Sequence, residues 1–354
     1  MPEQRHQPAA LIELAANLLT AAGLAGDRAR LMAGLLVEAD LMGHTTHGLA
    51  LLPAYLDELA AGTMTASGEP EVIRDTGPCL TWDGRRLPGV WLTAHAIDTA
   101  VPRARQYGTA TVVVRRSHHI ACLGAFLTRA TDHGLMVLLA SSDPSVCSVA
   151  PYGGITPVFT PDPIAIGIPT TGEPILIDTS ASITTNGMSA RLRAEGRRFP
   201  HAWLLDAAGA PSDDPNVLFA EPAGTILPTG GLDHGHKGYG LALMIEALSQ
   251  GLAGHGRKDA PARWGGNVFL QVIDPDLFAG ADAFAAQTDF FTERCRANRP
   301  VNPKQPVRIP GDAAARGIDQ AEAEGIRYDP ATAAALRDCA ARLNVPLPTG
   351  LQAD

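Results

Sequence analysis

Four short runs of apolar and β-branched residues follow one another in the middle of the chain, and they constrain the fold more than any other feature. They are TATVVV from Thr109, LMVLLA from Leu135, IAIGIP from Ile164 and PILID from Pro174. Runs of this length, separated by turn-rich segments, are typical of buried strands. CLTWDG at 79–84 and NVFLQVID at 267–274 predict two further strands. The middle of the chain is therefore expected to form a sheet.

Both ends of the chain instead repeat apolar residues at three- and four-residue spacing, which predicts helices. Residues 8–60 contain three of them: Gly23 ends the first, Asp27 is the predicted N-cap of the second, and Pro53 lies in the first turn of the third. Further helices are predicted around 90–106, 121–133, 241–254, 281–297, 312–323 and 330–343.

These patterns predict a mixed α/β fold (α/β or α+β) in three segments. Residues 1–75 and 301–354 are expected to form one helical domain from both chain ends. Residues 76–300 are expected to form the central α/β domain.

Composition excludes several classes of protein. The chain has 354 residues, with 28 Lys and Arg against 37 Asp and Glu and a formal net charge of −9. Nucleic-acid binders and proteins held on anionic lipid usually carry the opposite charge. No apolar run approaches the ~20 residues of a membrane-spanning helix, and MPEQRHQPAA has no secretory pattern. We expect a cytoplasmic protein with reduced cysteines and with no nucleic-acid or membrane partner.

Three histidine-bearing segments are candidates for chemistry: Gly43–Gly48 (GHTTHG), Ser117–His119 (SHH) and Asp233–Gly240 (DHGHKGYG). An imidazole beside a hydroxyl exchanges protons near neutral pH. Adjacent histidines point in different directions, so one of His118 and His119 is expected to be structural. The third segment opens a helix and suits an anion, although a flexible glycine loop explains it equally well.

A metal site is a weaker hypothesis. His44 with His47, or His234 with His236, supply two imidazoles each. Neither H-E-x-x-H nor an acidic ligand cluster accompanies them in the sequence, so no metal ligand is assigned. G-x-G-x-x-G is also absent, which excludes an ordinary dinucleotide-binding Rossmann fold.

Several motifs, taken in order, resemble the type-2 malate/L-lactate dehydrogenase family. They are GHTTHGLALLPAYLDELAAG, SHHIACLGAF, ILIDTSAS, G-x3-P-x2-W-x2-D-x2-G at 196–209, HKGYGLALMIEALSQGLAG, IDPDLF and RIPGD. The resemblance implies an oxidoreductase that uses NAD or NADP and interconverts 2-oxo and 2-hydroxy acids. It also implies a homodimer and a non-Rossmann cofactor domain with a mixed, largely antiparallel sheet, which falls on residues 76–300.

The resemblance also assigns residues. His47 corresponds to the proton donor and acceptor, Thr46 to the family serine beside it, and His119 to a second histidine near substrate and nicotinamide. Leu51, Tyr55 and His119 correspond to substrate-binding positions. The cofactor contacts correspond to Leu123, Gly124, Asp178, Thr179, Ser180, His236, Gly311 and Asp312. Which of the two histidines is the principal acid and base stays open.

The chain departs from the family at several positions, and these departures leave the substrate open. Leu51 stands where many members carry an arginine that clamps the substrate carboxylate, and leucine cannot do this. Met188 replaces a lysine or aspartate, Ala121 replaces a glycine, and Thr160–Pro163 replaces a G-T-N-P turn. The alternatives are a reductase of a cyclic imine carboxylate, a nucleotide-binding protein with altered or lost activity, and a metal-dependent protein. Whether Arg191 or Arg193 lies near the ribose is also undecided.

Overall fold

The computed structural model describes residues 5–348 and residue 351. The helices are α1 (Pro8–Ala21), α2 (Gly26–Leu41), α3 (Leu52–Ala60), α4 (Gly89–Tyr107), α5 (Thr128–Thr131), α6 (Asn186–Ala194), α7 (Gly231–His234), α8 (His236–Glu246), α9 (Ala281–Arg296), α10 (Asp312–Glu324) and α11 (Pro330–Leu343). The strands are β1 (Glu71–Asp75), β2 (Cys79–Asp83), β3 (Thr109–Ser117), β4 (Met136–Ser142), β5 (Pro163–Ile168), β6 (Ile175–Ser180), β7 (Leu204–Leu205), β8 (Pro211–Ser212), β9 (Thr225–Ile226) and β10 (Gly266–Ile273).

Seven strands form the central sheet, in the order β1-β2-β3-β10-β4-β5-β6. Strands β2 and β3 are parallel, because α4 makes the crossover between them, and the other neighbouring strands are antiparallel. Strands β8, β7 and β9 form a small second sheet. The expected mixed α/β fold with a largely antiparallel sheet is confirmed.

The sheet is covered on both faces. Val112 and Val114 of β3 belong to the apolar cluster that includes α1, α2 and α4. Val113, which points the opposite way, belongs to a second cluster with Ala242 and Ile245 of α8. Side chains alternate between the two faces of a strand, so the continuous apolar runs of the sequence fill two cores at once.

The two ends of the chain meet in space. Helix α10 packs against α2, and α11 packs against α1 and α3. His6 and Ile326 exchange two backbone hydrogen bonds of 2.8 Å each. Strand β1, at the end of the segment predicted as 1–75, pairs with β2 of the central sheet. The three segment boundaries themselves stay a prediction.

Several local predictions were wrong. The N-cap of α2 is Ala25, and Asp27 is the second residue of the helix. Its negative charge in the first turn still stabilises the helix through the helix dipole. The helix predicted at 121–133 is reduced to a 3-10 turn at Gly124–Phe126 and the single turn of α5. Helix α8 ends at Glu246 and continues as a π-helical turn at Ala247–Gly251.

Strand β1 and helix α6 were missed, because neither has a clear apolar periodicity: β1 is exposed along its whole length. None of the helices in the described part of the chain combines the length and the apolar character that crossing a membrane requires.

Candidate active site

The link between α2 and α3 carries GHTTHG, and its shape depends on two glycines. Gly43 has a positive φ of 87°, which lets the chain leave α2. Gly48 lies against the side chain of Asp40: a Cβ at Gly48 would sit 2.0 Å from the Oδ1 atom of that carboxylate. Only glycine permits this approach, and the approach determines where His47 lies.

The side chain of Asp40 anchors the link between α2 and α3 through hydrogen bonds. Its Oδ2 atom accepts a hydrogen bond from the backbone N–H of Leu49 at 2.9 Å and one from the hydroxyl of Tyr328 at 2.7 Å. Burial raises the pKa of Asp40 to about 7, and the two hydrogen bonds oppose this shift. The carboxylate therefore ties the link to the C-terminal part of the chain.

His47 is partly buried, and one of its two ring nitrogens is hydrogen-bonded. Its Nδ1 atom lies 2.9 Å from the hydroxyl oxygen of Thr46. The rings of His47 and His119 are stacked, with centroids 6.1 Å apart. Burial lowers the pKa of His47, and the charge of Asp178 works against this. The imidazole is therefore neutral at pH 7.

The two histidines after β3 differ as expected in direction. His118 is completely buried, and its Nε2 atom lies 3.2 Å from the carboxylate of Glu58. Burial lowers the pKa of His118 to about 4. His119 faces the other way, toward His47.

His119 is held by two groups at Nδ1. The hydroxyl of Tyr55 lies 2.8 Å from this nitrogen, and the backbone N–H of Ala121 donates to it at 3.3 Å. Nδ1 is therefore an acceptor, and the ring hydrogen is on Nε2. Burial lowers the pKa of His119 to about 3, and the neighbouring His47 and His118 add to the shift. Tyr55 is fully buried behind His119, so it supports this ring from the side away from solvent.

Trp264 was not recognised from the sequence, although it completes this cluster of rings. Its ring centroid lies 4.9 Å from that of His119, 5.0 Å from that of His118 and 5.7 Å from that of Tyr55. Trp264 is in an irregular segment before β10, about 145 residues from these histidines, and no local pattern marks it.

Three of the predicted cofactor residues, Asp178–Ser180, lie on β6, which is one of the two edge strands of the sheet. The backbone N–H of Gly124, next to Leu123, donates to Oδ2 of Asp178 at 2.7 Å. A Cβ at Gly124 would lie 3.1 Å from the same oxygen. The two candidate segments, one after β3 and one on β6, are therefore in direct contact.

The remaining predicted cofactor residues lie at the two ends of β6. Gly311 is the N-cap of α10 and Asp312 is its first residue. The carbonyl of Pro310, just before them, accepts from the N–H of Leu176 at 3.0 Å. At the other end, Thr229 donates its hydroxyl to the carbonyl of Ser180 at 3.0 Å. Thr179 lies beside Ser180 on the strand. His236 begins α8, with its ring 5.8 Å from that of Tyr152.

Helix α6 packs against the link that carries His47. Arg191 donates to the hydroxyl of Thr45 at 2.9 Å, and its positive charge contributes to the lowered pKa of His47. Arg193, two residues further, instead lies over the ring of Phe219 at 4.3 Å. Leu51 packs against the main apolar cluster. Arg191 is thus the arginine of α6 that faces the histidines.

A second group of atoms was also missed. A ring nitrogen of His44, the sulfur of Cys122 and a carboxylate oxygen of Asp178 all lie within 4.8 Å of one another. The sequence showed no acidic partner for His44, because Asp178 is far away along the chain. All five cysteines are free thiols.

Comparison with known proteins identifies the family. The sequence profile of the malate/L-lactate dehydrogenase family matches residues 6–337. The L-sulfolactate dehydrogenase of Methanothermobacter thermautotrophicus is 30% identical over 333 residues, covering 92% of this chain and 93% of the relative. The NADP(+)-linked (2R)-3-sulfolactate dehydrogenase of Chromohalobacter salexigens is 34% identical over 242 residues, covering 68% of this chain and 70% of the relative.

A solved structure agrees with these relatives. The crystal structure of a dehydrogenase from Sinorhizobium meliloti superposes with a TM-score of 0.84 at 32% identity, covering 95% of this chain and 97% of that one. The resemblance noted in the motifs is confirmed. The chain belongs to the malate/L-lactate dehydrogenase family and is an oxidoreductase that acts on CH–OH groups.

Proposed function

We propose that the protein interconverts a 2-hydroxy acid and the corresponding 2-oxo acid with NAD or NADP, using His47 as proton donor and acceptor. The observation that carries this proposal is the stacked pair of His47 and His119, with the Thr46 hydroxyl on the first ring. The names of the relatives support a hydroxy acid as the substrate class.

Strand β6 fits a bound dinucleotide. Because β6 is an edge strand, the backbone N–H and C=O groups on its outer side are not hydrogen-bonded to a neighbouring strand. The outer groups of Leu176 and Ser180 are used by Pro310 and Thr229. Because outward-facing residues alternate along a strand, Asp178 presents its backbone to the same side between them. We propose that Leu123, Gly124, Asp178, Thr179, Ser180, His236, Gly311 and Asp312 hold the cofactor.

When bound, the nicotinamide supplies or accepts the hydride, and the chain supplies the proton. His47 is neutral at pH 7, and its Nδ1 atom is hydrogen-bonded to the hydroxyl of Thr46. The other ring nitrogen, Nε2, therefore exchanges the proton with the substrate oxygen. A neutral imidazole accepts the hydroxyl proton during oxidation and returns it during reduction.

His119 is proposed as the second ring, with a different role. Its Nδ1 atom already accepts from Tyr55 and Ala121, and its low pKa keeps it neutral. A ring fixed in this way donates a hydrogen bond from Nε2 to the substrate oxygen but does not give up the proton. Tyr55 acts as a positioning residue for this ring.

Arg191 is proposed to bind the substrate carboxylate, which Leu51 cannot do. Its guanidinium lies beside the link that carries His47 and donates one hydrogen bond to the hydroxyl of Thr45. The remaining donors suit a planar carboxylate.

The assay for His47 is steady-state reduction of 2-oxo acids and of piperideine-2-carboxylate with NADH and NADPH. His47→Asn is expected to lower kcat by about 10²- to 10⁴-fold while NAD(P)H binding persists. His201→Asn, which changes an exposed histidine, is the control. Full turnover in His47→Asn would exclude this residue as the acid and base. If only piperideine-2-carboxylate were reduced, the substrate would be the cyclic imine and not the 2-oxo acid.

The assay for Arg191 compares two arginines of α6. Arg191→Met is expected to raise the KM of the oxo acid by about 10- to 100-fold, the cost of one hydrogen bond to a charged group. Arg193→Met, which removes a guanidinium from Phe219, is expected to leave it unchanged. A change in the KM of NADPH alone would place Arg191 on the ribose phosphate instead.

Cellular location and oligomeric state stay predictions: a cytoplasmic homodimer, with the dimer measurable by light scattering of the purified chain.

A further inference from the structure

Three potential metal ligands from distant parts of the chain meet beside the candidate active site. His44 lies in the link after α2, Cys122 lies in the segment after β3, and Asp178 lies on β6. Their ligand atoms are all within 4.8 Å of one another, and the sulfur lies 3.6 Å from Oδ2 of Asp178. Cys122 is buried, whereas His44 and Asp178 are partly exposed, so the group is open to solvent on one side.

The chemistry of this set selects a particular class of ion. Imidazole, thiolate and carboxylate are the ligands of Zn²⁺, at about 2.0–2.3 Å from the ion. A tetrahedral ion at these distances separates its ligand atoms by about 3.3–3.8 Å. The sulfur of Cys122 and Oδ2 of Asp178, 3.6 Å apart, already fit this range, and the ring nitrogen of His44 needs to approach them by at most about 1.5 Å. Mg²⁺ and Ca²⁺ prefer oxygen ligands, and the sulfur therefore disfavours them.

The sulfur of Cys122 and the carboxylate of Asp178 are already in contact, so binding of an ion replaces one proton between them. Without an ion, the thiol of Cys122 donates to Oδ2 of Asp178 at 3.6 Å. When an ion binds, the S–H bond breaks, the proton leaves to solvent, and the sulfur bonds to the metal.

We propose that His44, Cys122 and Asp178 form a reversible binding site for Zn²⁺, with the fourth ligand position open to water. Three protein ligands and one open position are typical of zinc sites that exchange ligands. Asp178 also belongs to the proposed cofactor residues. If the proposed function holds, bound Zn²⁺ therefore competes with the dinucleotide and inhibits the enzyme.

The site is tested with Co²⁺ as a spectroscopic substitute for Zn²⁺, on the full chain reduced and freed of metal. One Co²⁺ per chain is expected, with a thiolate-to-cobalt charge-transfer band in the near ultraviolet and visible bands of tetrahedral cobalt. Both signals are expected to disappear in Cys122→Ala and to weaken in Asp178→Asn and His44→Gln. Zn²⁺ added in excess is expected to remove them from the wild-type chain.

Cys295→Ala is the matched control, since Cys295 is an exposed cysteine on α9 and is expected to keep the full cobalt spectrum. Circular dichroism establishes that each variant is folded, and His44→Gln changes a partly exposed side chain if Cys122→Ala does not fold. Absence of the charge-transfer band, or its persistence in Cys122→Ala, overturns the proposal.

A second measurement separates the metal site from the proposed function. Zn²⁺ is expected to raise the Kd of NADPH, followed by its fluorescence, in wild type and much less in Cys122→Ala. An intact cobalt spectrum with unchanged NADPH binding would retain the metal site and place the cofactor elsewhere. NADPH binding without a cobalt spectrum would retain the cofactor site and reject the metal.

Discussion

Gly48→Ala tests how the link that carries His47 is held. The added methyl carbon would lie 2.0 Å from Oδ1 and 2.2 Å from Cγ of Asp40, far inside the contact distance of carbon and oxygen. Either the carboxylate or the link has to move. If the carboxylate moves, it loses the hydrogen bonds from Leu49 and Tyr328. At about 1–2 kcal/mol each, the expected loss of unfolding free energy is about 2–4 kcal/mol.

Urea unfolding at pH 7, followed by circular dichroism, measures this loss, and kcat is expected to fall with it because His47 shifts. Gly34→Ala is the control. Gly34 lies in α2, the helix that also contains Asp40, and an added Cβ there meets nothing within 4 Å. Alanine inside a helix is expected to stabilise by about 0.5–1 kcal/mol.

The double variant Asp40→Ala with Gly48→Ala isolates the contact. Without the carboxylate the methyl group has room, so the double variant is expected to lose less than the sum of the single losses, by about 1–3 kcal/mol. Additive losses, or a Gly48→Ala variant as stable as Gly34→Ala, would refute the close approach as the reason for glycine.

Three further predictions concern stability. The pKa of His118 is about 4 in the folded chain and about 6.5 when unfolded, so its neutral form stabilises the fold above pH 6.5 and this contribution is lost as pH falls toward 4. His118→Gln is expected to reduce the slope of unfolding free energy against pH by about 1 kcal/mol per unit between pH 6 and 4.5. Arg257→Met leaves the carboxylate of Glu246, only 14% exposed, with the hydroxyl of Ser142 but without its positively charged partner. A loss of about 3 kcal/mol is expected in urea, and adding Glu246→Gln should recover part of it. Glu71→Gln removes an ion pair with Arg85 in which both side chains are about half exposed. The expected loss of unfolding free energy is below about 1 kcal/mol, and a larger loss in thermal unfolding would contradict this prediction.

The strands β3 to β6 and β10 were predictable from the sequence, since a short apolar run between turns has few other stable conformations. The lack of a glycine-rich phosphate loop likewise excluded an ordinary Rossmann fold from the sequence alone. The segments around His47 and His118 could be identified because each is a local cluster of chemically capable residues, whereas Asp178 was assigned only through the resemblance to the family. Helix α6 escaped detection, because its residues are mostly polar and only Ser189 and Leu192 are buried.

Local sequence thus determined which segments become strands and helices and which short motifs carry imidazoles. Tertiary structure alone decided which groups meet: Arg191 reaches Thr45 across 146 residues, and Cys122 meets Asp178 across 56. The physical reason is that periodicity reports only on neighbours within a few residues. The pKa of a buried histidine and the ligands around a thiol depend instead on side chains brought together when the sheet and its covering helices pack.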